Sequence, residues 1–179
     1  MEENEEIIVY KRTSFGRRFA ALVIDGVIIY GLGYVLKLIL GAPTPLAPEE
    51  LMGMPMGEMM LKSMAVDMMP YYIGLTYALM EIFLQKSPGK MILGLVIADQ
   101  EGEKPEMSAM VLRYFLKQGA YILFLIAVFA QISMFIWAGF FLSFVFVLGG
   151  LAAMSEKRLA LHDIIAKTAV YNEKMLTEE

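Results

Sequence analysis

Apolar residues along this chain gather into long runs instead of recurring at the spacing of an amphipathic helix or a surface strand. Residues 19–40 are interrupted by charge only at Asp25 and Lys37, residues 69–84 only at Glu81, and residues 119–154 not at all. Runs of about 18 or more apolar residues are long enough to cross a bilayer as helices. The pattern predicts a first span over 19–40. A second runs over 69–84, with an upstream extension from Leu61 and a kink at Pro70 as the alternative. The charge-free region would be roughly 50 Å long as one straight helix, against a hydrocarbon core of about 30 Å. It is better read as a hairpin of two short spans, 119–133 and 137–153. Gln131 and Ser133 are its only mid-region polar side chains, and Trp137, which favours the membrane–water interface, follows them.

The positions of Lys and Arg test that count independently. All but Lys37 and Lys62, which flank the loop between spans one and two, fall in three groups: Lys11, Arg12, Arg17 and Arg18; then Lys86, Lys90, Lys104, Arg113 and Lys117; then Lys157, Arg158, Lys167 and Lys174. The positive-inside rule predicts that these three segments are cytoplasmic, both termini included. Two of them flank the charge-free region, so it must cross an even number of times. The expectation is an all-α membrane protein, a four-span transmembrane helix bundle with both termini cytoplasmic. Arg17 and Arg18 also precede the first run as in a signal peptide, but that run is too long for an h-region and contains Asp25, so it reads as a retained span.

Outside the spans, residues 41–68 form an outer loop rich in Pro and Met and net acidic. Residues 85–118 and the tail 154–179 form a small cytoplasmic skirt with a short β segment and an interfacial helix. Residues 91–98 read as a buried strand and 99–104 as a polar turn. Ser108 is the expected cap of a helix whose Arg113 and Lys117, four apart on one face, would snorkel to the headgroups. Residues 7–10 and 168–171 are β-prone and are candidates to join 91–98 in a sheet. Gly139 and Ser143, Gly149 and Ala153, and Gly26, Gly31 and Gly33 fit close helix packing. No internal repeat suggests an inverted-repeat transporter.

Composition agrees: 179 residues, 58% hydrophobic, with a mean hydropathy of +0.59, are too apolar for an ordinary soluble domain. The net charge of −4 is too small to point to a partner, and the lack of basic–aromatic runs argues against nucleic acid. With no cysteine, disulfides, thiolate metal sites and thiol nucleophiles drop out.

The residues able to carry chemistry are few. Asp25 lies about six residues, roughly 9 Å, inside the first span, and Glu81 lies near the cytoplasmic end of the second. A carboxyl at such depth faces a bundle interior or water and is a candidate proton or cation site. The competing reading is a hydrogen-bonded structural anchor for the skirt. Arg18, seven residues before Asp25, shares its face. His162 and Asp163 adjoin the last span, where a cap or salt bridge suits them better than metal hydrolysis, since the chain has one histidine. Pro88-Gly89-Lys90 lacks the upstream glycine and following hydroxyl of a phosphate loop. It reads as a tight turn with Lys90 near lipid phosphates. The outer methionines Met52, Met54, Met56, Met59, Met60 and Met64 could in principle hold Cu(I), but with no Cys or nearby His they read as flexible apolar filler. No nucleophile–base pair is recognisable, so no enzyme activity, metal or cofactor is expected.

Three ordered motifs resemble the RDD membrane family, named for one arginine and two aspartates. They are Arg17-Arg18-Phe19-Ala20-Ala21-Leu22-Val23-Ile24-Asp25, then Ser87-Pro88-Gly89-Lys90-Met91-Ile92-Leu93-Gly94-Leu95, then Leu161-His162-Asp163-Ile164-Ile165-Ala166-Lys167-Thr168. Lys167 stands where a glycine is more usual. The resemblance implies a multi-pass cell (inner) membrane protein and maps the namesake positions to Arg18, Asp25 and Asp163. It also implies a role in moving unidentified ligands, with cation/proton exchange suggested for some members. Two expectations follow. One is a small transporter exchanging protons for monovalent cations or another small ligand at Asp25 and Glu81, supported by the charges of Arg18, His162 and Asp163. The other is a non-transporting accessory or regulatory protein. Its partners are the lipid bilayer and a second copy or another membrane protein.

Overall fold

The computed structural model describes residues 11–177 and is mostly helical. Helix α1 (Phe15–Leu40) leads into an extended stretch and two helices, α2 (Pro48–Leu51) and α3 (Met56–Val66). Next come α4 (Met69–Leu84), α5 (Pro88–Ile92), β1 (Leu95–Asp99), α6 (Met107–Ala130) and α7 (Met134–Leu151). A 3-10 turn (Ala152–Met154), α8 (Leu161–Ile165), β2 (Thr168–Asn172) and α9 (Lys174–Thr177) complete the order.

Among the described residues, three helical segments are long and apolar enough to cross a membrane: Phe15–Leu40, Met107–Ala130 and Met134–Met154. Only 6% of the apolar window of α1 is fully buried, so much of its surface is left to lipid or a partner. Helix α4 has the expected bounds, but its 16 residues reach about 24 Å, short of a roughly 30 Å core.

The charge-free region folds as the expected hairpin. Gln131 adopts the left-handed conformation (φ 58°) and stops α6. After Ile132 and Ser133 the chain returns as α7, with Phe124 against Phe140 and Gly119 beside Leu142. Gly139 lets the helices close, since a Cβ there would lie 2.7 Å from Cδ1 of Phe124. Gly149 makes the same kind of contact with Leu161. Gly26 and Gly31 have nothing near them, so the packing role expected of them on α1 is not seen; Gly33 meets Ile73.

Several local expectations are corrected. The outer segment is not one loop: α3 occupies eleven of its residues, and Met60 and Met64 pack against the buried cluster of Leu61, Ala127 and Ile136. Pro70 does not kink a helix running from Leu61. The chain breaks at Asp67 and Met68, and Pro70 sits in the first turn of α4, where its missing N–H is harmless. The strand expected at 91–98 begins at Leu95, because Ser87 accepts from the Lys90 N–H and starts α5 instead. Pro88-Gly89-Lys90 is therefore the opening of a short helix. Ser108 is not the cap of α6; Glu106 holds that position, and the Ser108 hydroxyl donates to its carboxylate.

Strand β1 pairs antiparallel with β2, Ile97 opposite Val170 and Val96 opposite Tyr171. Arg12 adds a single bridge to Tyr171, and the Thr13 N–H donates to the Val170 carbonyl. The expected β piece at residues 7–10 lies outside the described residues. One face of the ladder joins Leu95, Ile97 and Val170 to Ala21, Ile82 and Met110. The other packs Ala98, Ala169 and Tyr171 with Leu159. Both faces are covered, so α1, α4 and α6 share one core with the ladder at this end of the bundle.

Gly139→Ala should drive a methyl into the Phe124 ring and destabilise the α6/α7 hairpin by about 1–3 kcal/mol. An SDS titration followed by circular dichroism reads that loss.

Candidate functional site

The polar side chains at the ladder end of the bundle are concentrated on inward helix faces. On α1, Arg18, Ala21 and Asp25 follow at i, i+3 and i+7 and so share one face; Ala21 is the one buried residue of that helix. On α4, Tyr77 and Glu81 are four apart, as are Arg113 and Lys117 on α6. Each pair therefore lies on one face of its helix.

Asp25 is held by uncharged donors. The Tyr77 hydroxyl donates to Oδ1 at 2.6 Å, the Gly89 N–H to Oδ1 at 2.7 Å and the Ser87 hydroxyl to Oδ2 at 2.6 Å. Asp25 thus fastens α1 to α4 and to the start of α5. Gly89 is required there by close approach. A Cβ would sit 2.8 Å from Asp25 Oδ1 and would overlap the Ala21 carbonyl oxygen, a backbone atom with little freedom to shift.

Glu81 is buried among cations. Lys90 donates to Oε1, Lys117 donates to Oε2 at 2.7 Å, and Arg113 Nε lies 3.9 Å from Oε2. Burial pulls the Lys90 ammonium down to about 8, with Glu81 acting against that shift. Lys90 is buried in the protein rather than at lipid phosphates. Arg113, 2% exposed, does not snorkel; the face expected at the headgroups is turned into the protein.

Asp163 has no exposure and four partners. Arg18 Nη1 donates to Oδ2 at 2.5 Å, Arg113 Nη1 donates to Oδ1, and the Ala160 N–H donates to Oδ2 at 3.0 Å. His162 Nε2 stands 3.5 Å from Oδ1. The same Arg113 nitrogen donates to Thr168 Oγ1 at 2.8 Å, and Arg18 Nη2 donates to the Arg158 carbonyl at 2.7 Å. Burial opposes the charge on Asp163, but Arg113, His162 and Arg18 outweigh it and hold its carboxyl well below the usual range. For His162 burial dominates, joined by Arg113, and its ring is held well below the ordinary histidine value despite Asp163.

Together these contacts close a ring through the fold. It runs from Asp25 on α1 to α5, from Lys90 on α5 to Glu81 on α4, and from Glu81 to α6. Arg113 carries it to Asp163 on α8, and Arg18 returns it to α1. Of the five residues singled out from sequence, Arg18, His162 and Asp163 meet directly. Asp25 and Glu81 lie on adjacent links and share no ligand; Arg18 and His162, expected to support Asp25, stand against Asp163 instead. Lys90, Arg113 and Lys117, expected at lipid, turn inward instead, and Tyr77 joins them without any expectation from the motifs. The four-residue spacings in Tyr77–Glu81 and Arg113–Lys117 were the available signal.

The RDD family model matches residues 12–167, a span that takes in the whole ring apart from Thr168. The relative named "Uncharacterized protein YxaI", of Bacillus subtilis (strain 168), is 30% identical, across 89% of this chain and 97% of its own length. No solved structure matches the chain.

Asp163→Asn removes the carboxylate from between two arginines. It should cost about 3–5 kcal/mol, the scale for breaking a buried ion pair, read by SDS titration against the wild type. Acid should destabilise the fold in two windows. His162 stays neutral when folded but binds a proton below about 6.5 when unfolded, so stability falls as pH drops from 7 to 5, and His162→Gln should flatten that slope. The Asp163 contribution is complete above the unfolded value near 3.9 and is lost as pH falls below it.

Proposed function

The chain belongs to the RDD family, and on that premise we propose that it is a non-transporting, non-enzymatic accessory or regulatory protein of the cell membrane that binds another membrane protein. In this reading it spans four times, with α4 as the short second span and both termini cytoplasmic. The three basic groups of the sequence support that orientation. A buried α4 helix flanked by α1 and α6 need not match the full bilayer thickness, because its neighbours meet the lipid.

The observation that carries the proposal is the saturation of three carboxylates at the ladder end of the bundle. Asp25 accepts three hydrogen bonds, Glu81 pairs with two lysines, and Asp163 pairs with two arginines and caps α8. Groups so engaged hold elements together, and a transported ion would have to break the fold's own contacts to reach them. The rigid ring then presents the skirt, β1–β2 and the tail, as a fixed surface toward a partner.

One observation favours a second reading, exchange of protons for monovalent cations or another small ligand, in a homo-oligomer. Asp25 lies within α1, and its donors are two hydroxyls and an amide, with no cation against it among the described residues. A proton or monovalent cation arriving there would balance the charge in place, with Glu81 as the next carboxylate along α4.

Proteoliposomes loaded with a pH-sensitive dye and pulsed with Na⁺, K⁺ or Li⁺ separate the two. The accessory reading predicts no proton flux from folded wild type, and a membrane-protein adduct when a photocrosslinker is placed on exposed residues of 85–118. Flux that vanishes in a folded Asp25→Asn variant would replace it with the exchange reading.

A further inference from the structure

At the end of the bundle away from the ring, the extended stretch after α1 folds back over α3 and borders an open cavity of about 430 Å³. Its walls include Pro43 and Leu46, and its polar groups are Lys37, Ser63 and Asp67. This volume and this mixture of apolar wall with few polar groups suit a small organic ligand. Lys37 Nζ donates to Asp67 Oδ2, and about a third of each side chain is exposed, so the pair is reachable. Ser63 is already engaged, its hydroxyl donating to the Met59 carbonyl.

The electrostatics select the sign of the ligand. The cavity is lined from the C-terminal ends of two helices, by Lys37 in the last turn of α1 and by Ser63 and Val66 in the last turn of α3. Helix C-termini carry partial negative charge and carbonyls without helix partners. The positive N-terminal end of α4 follows Asp67 closely and offsets α3, but no α4 residue lines the cavity. The surrounding segment 41–68 contributes Glu49, Glu50 and Glu58 against one further cation, Lys62. At the cavity itself, Asp67 and the C-terminal ends of α1 and α3 stand against the single ammonium of Lys37. That ammonium, on a flexible four-carbon stem, is itself an aliphatic amine resting on Asp67.

We propose that this cavity binds a small aliphatic ammonium compound, whose cationic head takes the place of Lys37 on Asp67 while its carbon chain lies against Pro43 and Leu46. Lys37 acts as a tethered competitor for the site. The inference is independent of the accessory and exchange readings, both of which concern the opposite end of the bundle.

The test is saturation-transfer NMR with the full chain in phosphatidylcholine nanodiscs at neutral pH, using hexylammonium as probe and hexanol and hexanoate as controls. Saturable transfer to hexylammonium above both controls is expected. Lys37→Met should tighten binding by about fivefold, the scale of a partly exposed ion pair, and Asp67→Asn should abolish it. The double variant Lys37→Met/Asp67→Asn, which leaves no unpaired charge to disturb folding, should also fail to bind. Equal transfer in the double variant would reduce the signal to partitioning into the bilayer. Preference for hexanoate, or weaker binding in Lys37→Met, would equally overturn the proposal.

Discussion

A carboxylate without solvent exposure is stable only if its surroundings replace the water it has lost, and Asp163 sets that demand at the junction of four elements. Burial of an unpaired charge is far more costly than any single contact in the fold. Two guanidinium groups and the amide that begins α8 meet the demand. Because Arg18 comes from α1 and Arg113 from α6, the requirement of one side chain fixes where two long helices stand. Arg113 also reaches Thr168, which sets the start of β2 and with it the register of the ladder. Lysine in place of either arginine would keep the charge but lose the fork that reaches two acceptors at once. Arg18 uses that fork to hold the Arg158 carbonyl as well as Asp163.

The demand matters most for α1, which gains little from apolar packing. Its one buried residue is Ala21, and side chains such as Leu22, Val27 and Leu38 lie open. In a bilayer those surfaces are satisfied by lipid, so they give no preference for one position against the bundle. Directional contacts have to supply it. Arg18 and Asp25 bracket Ala21 and clamp one end of the helix, and the Lys37–Asp67 pair ties the other. The two ends differ in kind: the first is buried and multiply bonded, the second is a single, partly exposed pair beside a cavity.

The large outline of this arrangement was legible in the sequence because it follows from one-dimensional quantities. The length of the charge-free run required a hairpin, and the break fell at Gln131 and Ser133, where polar side chains interrupt the apolar pattern. The bounds of α4 could be read directly, and the three RDD motifs marked Arg18, Asp25 and Asp163. The pairing was not legible. Arg113 and Lys117 look, on a single helix, like basic residues at a membrane surface. Only the third dimension shows that the buried Glu81 of α4 turns that face inward. The strand expected over 91–98 starts only at Leu95 for a similar reason: Ser87 accepting from the Lys90 N–H starts a helix that apolar patterning alone does not reveal.

Lys167 shows how the motif residues and the ring depend on each other. Its φ of 51° places it in the left-handed region that a side chain adopts only at some cost, which accounts for glycine being the more usual residue at this point of the motif. The turn cannot relax to a commoner conformation without moving its flanks. On one side Asp163 is fixed by its arginines; on the other, Thr168 is fixed by Arg113 and by the ladder. The strain is thus tolerated because the buried charge over-determines the backbone on both sides of it. The closing motif, Leu161 to Thr168, is in this sense a device for bringing one carboxylate and one hydroxyl to the same guanidinium. A tight left-handed turn at residue 167 is what the short chain length between them requires.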